Sequence, residues 1–319
     1  MTTTRRHDSN YKRLFSHKEM VADLISGYVD AKLAGTFDLS SLERCNGTYI
    51  SPDLRERHND VVWRLNTTDG TVYVYLLLEF QSTVDPFMAV RLLGYIALLW
   101  QDLIAQHQLC PGDLLPPVLP IVLYNGDQPW TAPLSLRRII APGPAALRRL
   151  QPTASYLFLD ENHLPTAPGL ALHNLSAAIF ALEQSQGLAA QHRVIRALRT
   201  WLKDRPDLRE VFGTWIATAL IPTGLLPPTK RRIISLDEVE PMMATRILQD
   251  IKRQVDAGIA KGEAKGEAKG KAEGKVELIR ELVRTGVLPI DAARNQVRSL
   301  VKSKQITARA GRSALARLG

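Results

Sequence analysis

The chain has 319 residues, of which 45% are hydrophobic and 23% charged, a composition typical of a soluble globular protein. No stretch has the length and apolarity of a membrane-spanning helix, and the first residues lack the apolar core of a signal peptide, so we expect a cytoplasmic protein with no membrane partner. Cys45 and Cys110 are the only cysteines, which argues against a disulfide framework, and no Cys/His spacing indicates a zinc site.

The net charge of +9 is concentrated at the C-terminal end of the chain. Residues 251–319 hold 16 Lys+Arg and 7 Asp+Glu, which leaves 25 of each for residues 1–250. A neutral body with a basic tail favours binding of nucleic acid by the tail. A solvated helical tail without a partner explains the same charge equally well.

The first predicted element is an amphipathic helix over residues 8–28, where apolar residues recur at helical spacing. Asp8 and Lys12 are four residues apart and therefore share a face of this helix. The pair either brings an acidic group toward a site or only stabilises the helix.

Two strands joined by a hairpin are predicted next, at Asp60–Leu65 and Thr71–Gln81. The intervening Asn66–Gly70 has the composition of a hairpin connection. Because side chains alternate along a strand, Glu79 and Gln81 fall on one face of the second strand.

The register of this hairpin decides whether Asp60 and Glu79 meet. If Asn66 pairs with Thr71, the register of the whole hairpin is fixed. Asp60 then lies opposite Leu77, and Glu79 is its diagonal neighbour on the same face, with backbones roughly 7–8 Å apart. A register shifted by one residue would send the two carboxylates to opposite faces.

Two carboxylates beside an apolar strand predict a divalent-metal site, because an unpaired buried carboxylate costs several kcal/mol or more. Hard oxygen ligands favour Mg²⁺ or Mn²⁺ over zinc. The alternative is an ordinary polar patch in which the two acids pair with basic neighbours, namely Arg57, Arg64 or Lys12.

A helix is predicted over residues 87–108, with Arg91 and Tyr95 on one face. The two side chains either contact a substrate phosphate, as Arg does in a bidentate manner, or serve as a surface ion pair and core packing. Lys12 is a further candidate for contact with nucleic acid. Strands are predicted at Val118–Tyr124 and Tyr156–Asp160.

The rest of the pattern is helical, near 173–186, 188–204 and 208–220, and again at 276–287 and 291–318. Residues 261–275 form a four-residue repeat with recurrent glycine, which predicts a flexible or marginally helical, solvated linker. We therefore predict four regions along the chain: an α/β core at 1–170, a helical region at 171–257, a linker at 258–276 and a basic helical segment at 277–319.

Several separated motifs carry a resemblance to a known family. They are Asp8-x-x-Tyr11-Lys12-x-Leu14-Phe15, Asn59-Asp60, Leu78-Glu79-Phe80-Gln81-Ser82, Met88-x-x-Arg91-Leu92-x-x-Tyr95 and Pro120-Ile121-Val122-Leu123-Tyr124-Asn125-Gly126. Together with the Gly-Lys-Ala-Glu repeat they resemble the Rpn/YhgA-like recombination-promoting nucleases. The resemblance implies the restriction-endonuclease-like PD-(D/E)XK fold, which has a mixed central sheet flanked by helices, and magnesium-dependent cleavage of DNA.

The resemblance also implies roles for individual residues. Asp60 matches the metal-binding aspartate and Glu79 the second acidic ligand, while Phe80 would offer its backbone carbonyl to the metal. Gln81 stands where the wider superfamily usually has Lys, although Gln is usual in this family. A neutral Gln can orient a water by hydrogen bonding but cannot stabilise charge as Lys does.

The expected function is therefore that of a metal-dependent DNA endonuclease in recombination or mobile-element biology, with DNA as partner. A homodimer is an expected assembly, because many nucleases of this fold cut two strands with two sites. No Gly-x-x-x-x-Gly-Lys loop is present, so we expect no nucleotide cofactor. The alternative is a catalytically weak or inactive nuclease fold that binds nucleic acid or protein.

Overall fold

A computed structural model describes residues 3–45, 60–79, 84–126, 128–164, 173–185, 187–220, 234–264, 268–303 and 305–318. The chain divides into two units, Met1–Gln184 and Ser185–Gly319.

The first unit contains a mixed five-stranded sheet in the order β1-β2-β3-β4-β5. The strands are β1 (Phe37–Arg44), β2 (Asp60–Thr67), β3 (Gly70–Glu79), β4 (Val118–Tyr124) and β5 (Leu157–Asp160). Strands β1, β2 and β3 pair antiparallel, whereas β4 and β5 run parallel to β3. The predicted α/β architecture, a mixed sheet flanked by helices, is confirmed.

The hairpin between β2 and β3 is tighter than its composition predicted. Thr67 pairs with Gly70, so only two residues form the turn. The φ angle of Gly70 is 129°, a conformation that favours glycine. The hydroxyl of Thr67 donates to the Gly70 carbonyl at 2.9 Å and accepts from the Asp69 backbone N–H at 3.1 Å, which closes the turn.

The helices of this unit are α1 (Thr3–Leu14), α2 (Lys18–Tyr28), α3 (Ala31–Ala34), α4 (Met88–Ala105), α5 (Ala145–Arg148) and α6 (Leu175–Gln184). The prediction of one continuous helix over residues 8–28 was wrong, because the chain turns at Phe15–His17 between α1 and α2. The apolar spacing continues across this turn because both helices bury their apolar residues. Periodicity alone therefore gave no sign of the break.

Strand β1 was not predicted. Leu42 is its one buried residue, and the rest of the strand is exposed or half-buried. An edge strand of this kind lacks the alternation of apolar and polar residues from which strands are recognised.

Helix α4 packs on one face of the sheet, where its apolar side chains meet those of the central strands. The shared core includes Val62, Tyr75, Leu77, Leu92 and Leu99. On the opposite face the indole N–H of Trp63 donates to the backbone carbonyl of Phe15 at 3.1 Å.

By length and composition alone, α4 is apolar enough to cross a membrane, with a mean hydropathy of 1.4, although we expected no such stretch. Its packing against the sheet accounts for this composition as that of a core helix and is compatible with a soluble protein.

The described residues of the second unit form helices joined by turns and contain no strand. Its helices are α7 (Leu188–Trp201), α8 (Pro206–Leu220), α9 (Leu236–Ala264), α10 (Ala268–Arg284), α11 (Ile290–Lys302) and α12 (Ala308–Ala316). The observed helices differ from the predicted ones in two places. The segment 291–318 forms two helices instead of one, and the glycine-rich repeat is helical on both sides of residues 265–267, which lie outside the described residues.

Gly213 on α8 allows a close approach of backbone from the segment that leads into α9. A Cβ at this position would lie 2.3 Å from the carbonyl oxygen of Ile234, in the segment that leads into α9. We expect Gly213→Ala to destabilise the protein by about 1–3 kcal/mol, because a rigid backbone would have to move. Urea unfolding followed by circular dichroism measures this change.

Gly258 on α9 is the matched control, because a Cβ there would meet nothing within 4 Å. Gly258→Ala should stabilise the protein by up to about 1 kcal/mol through helix propensity. Equal effects of the two substitutions would contradict the close approach at Gly213.

Candidate active site at the carboxyl edge of the sheet

Asp60 and Glu79 occupy the same face at one edge of the sheet. In the β2–β3 ladder Asn66 pairs with Thr71, and Asp60 pairs with Leu77. This is the register predicted from the sequence. Glu79 follows Leu77 by two residues, so it shares the face of Asp60. The backbones of such diagonal neighbours are about 7–8 Å apart, a spacing at which two carboxylates can share one cation.

The parallel strands extend this row of acidic positions. Glu79 pairs with Tyr124, and Tyr124 pairs with Asp160. The Asp160 carboxylate accepts from the backbone N–H of Asn162 at 3.2 Å and lies 2.9 Å from Nδ1 of His163. Asp160, to which the sequence pattern assigned no role, thus lies at the same edge and on the same face as Glu79.

Arg91 is held by two neighbours near the start of α4. Its Nε donates to the Tyr95 hydroxyl at 2.6 Å, and its Nη1 lies 3.8 Å from the Asp85 carboxylate. Tyr95 is buried and stacks on Tyr75 with ring centroids 5.5 Å apart. Tyr95 is therefore a core residue, whereas the half-buried guanidinium of Arg91 reaches solvent.

The stacking of Tyr95 on Tyr75 places Arg91 along the sheet. Helix α4 connects β3 to the parallel strand β4 and so returns antiparallel to β3. Arg91 precedes Tyr95 by four residues, about 6 Å along the helix. Leu77 follows Tyr75 by two residues, about 6.6 Å along the strand. Arg91 thus lies at the level of Leu77, the register partner of Asp60.

The Asn125-Gly126 motif at the end of β4 has a packing explanation at its glycine. A Cβ on Gly126 would lie 2.2 Å from the hydroxyl oxygen of Tyr124. That hydroxyl donates to the Gln128 carbonyl at 2.7 Å, and the ring packs edge-on against Trp130 with centroids 5.0 Å apart. Glycine at 126 therefore lets Tyr124 fold back over the chain and close this end of the core.

A second acidic cluster lies buried at the same edge, on the side of α1 and α6. The Tyr11 hydroxyl donates to the Glu161 carboxylate and lies 3.3 Å from Oε1 of Glu183. Glu161 is fully buried, and its Oε2 has no hydrogen-bond partner among the described residues. Gln184 donates to the Glu161 backbone carbonyl at 2.6 Å, which ties α6 to the turn after β5.

Burial controls the protonation of this cluster. It raises the pKa of Glu161 well above its usual value, and the neighbouring Glu183 raises it further, against the opposing hydrogen bond from Tyr11. Burial and the charge of Glu161 likewise raise the pKa of Tyr11. The single proton of the Tyr11 hydroxyl can be donated to one of the two carboxylates at a time.

The structure places the other predicted site residues as follows. Lys12 lies on α1, half-buried and next to Tyr11. Phe80 and Gln81 lie outside the described residues, as do the side chains of Asp8, Asp60 and Glu79. Among the side chains that are described, no three His, Cys, Asp or Glu groups converge on a metal site.

Sequence reasoning missed the Tyr11–Glu161–Glu183 cluster. It treated Tyr11 as an apolar helix residue and gave the two glutamates no role. One signal was present, because a buried tyrosine hydroxyl usually needs a hydrogen-bond partner. The partner is 150 residues away in sequence, and no local pattern identifies it.

Comparison with known proteins gives a family match that covers nearly all of the first unit and the start of the second. A family model described as "Putative transposase, YhgA-like" matches residues 5–202. The chain is 31% identical over 133 residues to "Recombination-promoting nuclease RpnD" of Escherichia coli O157:H7, covering 41% of this chain and 50% of that protein.

Two relatives from Escherichia coli strain K12 match similar lengths. "Recombination-promoting nuclease RpnA" is 28% identical over 160 residues, covering 50% of this chain and 53% of its own. "Inactive recombination-promoting nuclease-like protein RpnE" is 29% identical over 165 residues, covering 51% of this chain and 53% of that protein. The chain thus spans about half the length of these relatives. No solved structure matches it.

Proposed function

The chain belongs to the YhgA-like family of transposase-related proteins, and from that membership we propose that it is a divalent-metal-dependent DNA endonuclease that acts in recombination. The names of its relatives support a nuclease role in recombination. We further place its action in the cytoplasm, on DNA and without a nucleotide cofactor.

The observation that carries this proposal is the register of β2 and β3. It brings Asp60 and Glu79 to one face at the carboxyl edge of the sheet, next to an apolar core. An oxygen-only pair of donors fits a hard cation such as Mg²⁺ or Mn²⁺ and suits zinc poorly. Asp60, Glu79 and the backbone carbonyl of Phe80 would hold the ion.

When bound, such a cation lowers the pKa of a water molecule and neutralises charge on the phosphate. The chain's own residues have two further tasks. Gln81 would orient the attacking water through its amide, which can donate and accept but carries no charge. Arg91, at the level of Asp60, would bind a backbone phosphate with its guanidinium and so fix the register of the DNA strand.

A second candidate function is a nuclease fold that binds DNA or protein without cutting it. The name of the inactive relative RpnE favours this candidate. RpnE matches this chain over about the same length as RpnA, which is named a nuclease. The neutral Gln81 in place of a lysine points the same way, since it removes one source of charge stabilisation.

Cleavage of supercoiled plasmid by purified full-length protein separates the two functions. We expect nicked and linear products with Mg²⁺ or Mn²⁺ and none with EDTA, because the paired carboxylates need a cation to act on phosphate. Refilling the chelated protein with Mg²⁺ should restore cleavage. Products that persist in EDTA, or that are absent with either metal, would contradict the endonuclease proposal, and the latter result would favour the binding module.

A further inference from the structure

The last three helices, α10, α11 and α12, share a small core of their own. All three helices and the segments next to them contribute to this core. Its buried residues are Ile279, Ala293, Val297, Ile306, Ala314 and Leu318. Gly311 lets α12 approach α11, because a Cβ there would lie 2.3 Å from the side chain of Val301. The basic C-terminal helices are thus packed on one another, and their apolar faces are turned inward.

Most of the charge on α11 and α12 has no counterpart. Residues 292–319 contain seven Lys or Arg and no Asp or Glu. The exposed cations of α11, of α12 and of the residue that follows α12 are Arg298, Lys302, Arg309, Arg312 and Arg317, which we call the C-terminal basic surface. Within the described part of the chain none of the five makes an ion pair.

Two cations of helix α10, directly before them, are paired with carboxylates. Arg280 lies 2.8 Å from the carboxylate of Glu277, and Arg284 pairs with Glu281. These two cations of α10 are therefore compensated one by one. Most of the excess positive charge of the chain lies instead within residues 292–319, where the C-terminal basic surface directs it to solvent.

The arrangement suits a polyanion with regularly spaced charges. Arg298 and Lys302 are four residues apart on α11, and Arg309 and Arg312 are three apart on α12. Each pair therefore lies within about one helical turn on one side of its helix. Duplex DNA carries one negative charge per about 1.7 Å of its axis and is surrounded by condensed counterions. When clusters of Lys and Arg neutralise its phosphates, these counterions are released, and their release favours binding.

Two features argue against other anionic partners. Residues 276–319 contain no Phe, Trp or Tyr, so this surface has no rings on which single-stranded bases could stack. In the same segment Ile290 is the one large hydrophobic side chain that is exposed among the described residues. A helix that inserts into the surface of an anionic membrane needs an exposed apolar face beside its charge.

We propose that the C-terminal basic surface is a sequence-independent binding surface for the phosphate backbone of duplex DNA. It is separate in sequence from the candidate active site. The binding does not depend on cleavage, so the inference stands or falls apart from the nuclease proposal.

The test is the affinity of the full-length protein for a fluorescein-labelled duplex of about 25 base pairs, measured by anisotropy in EDTA over a series of KCl concentrations. The variant Arg298→Gln/Lys302→Gln/Arg309→Gln/Arg312→Gln should bind at least about tenfold more weakly at about 0.1 M salt. The slope of log K against log salt should become shallower by about 0.9 for each phosphate that the variant no longer neutralises. The matched control Arg280→Gln/Arg284→Gln removes cations that are already paired and should leave both quantities near the wild-type values.

Glutamine retains helix propensity, so the variants should remain helical by circular dichroism. Should the fourfold variant melt below the assay temperature, Arg298→Gln/Arg309→Gln provides a milder version with a smaller expected loss. An unchanged affinity and salt slope would overturn the inference even if the protein cuts plasmid. Tighter binding of a single strand than of the duplex, or a loss of binding to phosphatidylserine vesicles without a loss for DNA, would overturn it as well.

Discussion

Asp60→Asn and Glu79→Gln are each expected to lower the rate of metal-dependent plasmid cleavage by at least about a thousandfold. Both substitutions keep the size of the side chain and remove the negative charge that a cation requires. A bound divalent ion stabilises the transition state by several kcal/mol, and each ~1.36 kcal/mol of barrier is a factor of ten in rate. Single-turnover cleavage, followed on gels with saturating Mg²⁺, measures the rates.

Glu43→Gln is the control for these variants. Glu43 lies on β1 in the same sheet, is exposed and pairs with Arg64 at 2.6 Å, so its loss removes an acidic residue without touching the candidate site. Its cleavage rate should stay within about twofold of wild type, because exposed ion pairs contribute little. Near wild-type cleavage by Asp60→Asn would refute the assignment. Thermal melts establish that all three variants are folded.

The part of the candidate site that could be predicted is the part that depends on local patterns. The alternation of residues along β3 and the turn composition before it were sufficient for the pairing of Asp60 with Leu77. Strand β3 is buried on both faces, with Val74 and Leu76 on one and Tyr75 and Leu77 on the other, so the register follows from the short turn and not from the apolar pattern. The roles of Asp60 and Glu79 remain predictions.

The parts that could not be predicted depend on contacts between distant residues. Strand β1 is recognisable only by its pairing with β2, since its own residues are mostly exposed. The break between α1 and α2 lies inside a continuous apolar pattern. The partnership of Tyr11 with Glu161 joins α1 to the turn after β5. Hydrophobic periodicity reports which residues are buried and not which of them touch.

The carboxyl edge of the sheet thus carries acids in two contrasting environments. On one face, Asp60 and Glu79 occupy adjacent positions proposed to hold a cation, which requires that they be ionised. On the other side Glu161 is buried beside Glu183, and its pKa is raised. In this proposal, environment separates the protonation states of carboxylates that lie at one edge of one sheet.

This contrast leads to a prediction about stability and pH. The pKa of Glu161 is higher in the folded protein than in the unfolded chain, so the folded state binds more protons. Its contribution to stability is fully present below about pH 4.5 and is lost as the pH rises through the folded pKa. In that window the free energy of unfolding falls by up to about 1.4 kcal/mol per pH unit.

Glu161→Gln should remove this dependence. The Gln amide oxygen can still accept from Tyr11, and its NH₂ group can donate to Glu183 without becoming charged. We expect the variant to be less sensitive to pH than wild type and more stable than wild type at about pH 9. Urea unfolding of both proteins from about pH 6.5 to about pH 9 gives the difference.

Two further groups define the pH range and the control. Burial raises the pKa of Asp23 to about 6, so the contribution of Asp23 to stability is lost mainly between about pH 4 and 6. Measurements above about pH 6.5 therefore exclude most of the Asp23 contribution.

Tyr11→Phe removes the hydrogen bond that lowers the pKa of Glu161, and should therefore move the loss of stability to higher pH. Parallel pH profiles for wild type and Glu161→Gln would show that Glu161 is ionised in the folded protein, and that the cluster with Tyr11 and Glu183 holds a charge instead of a proton.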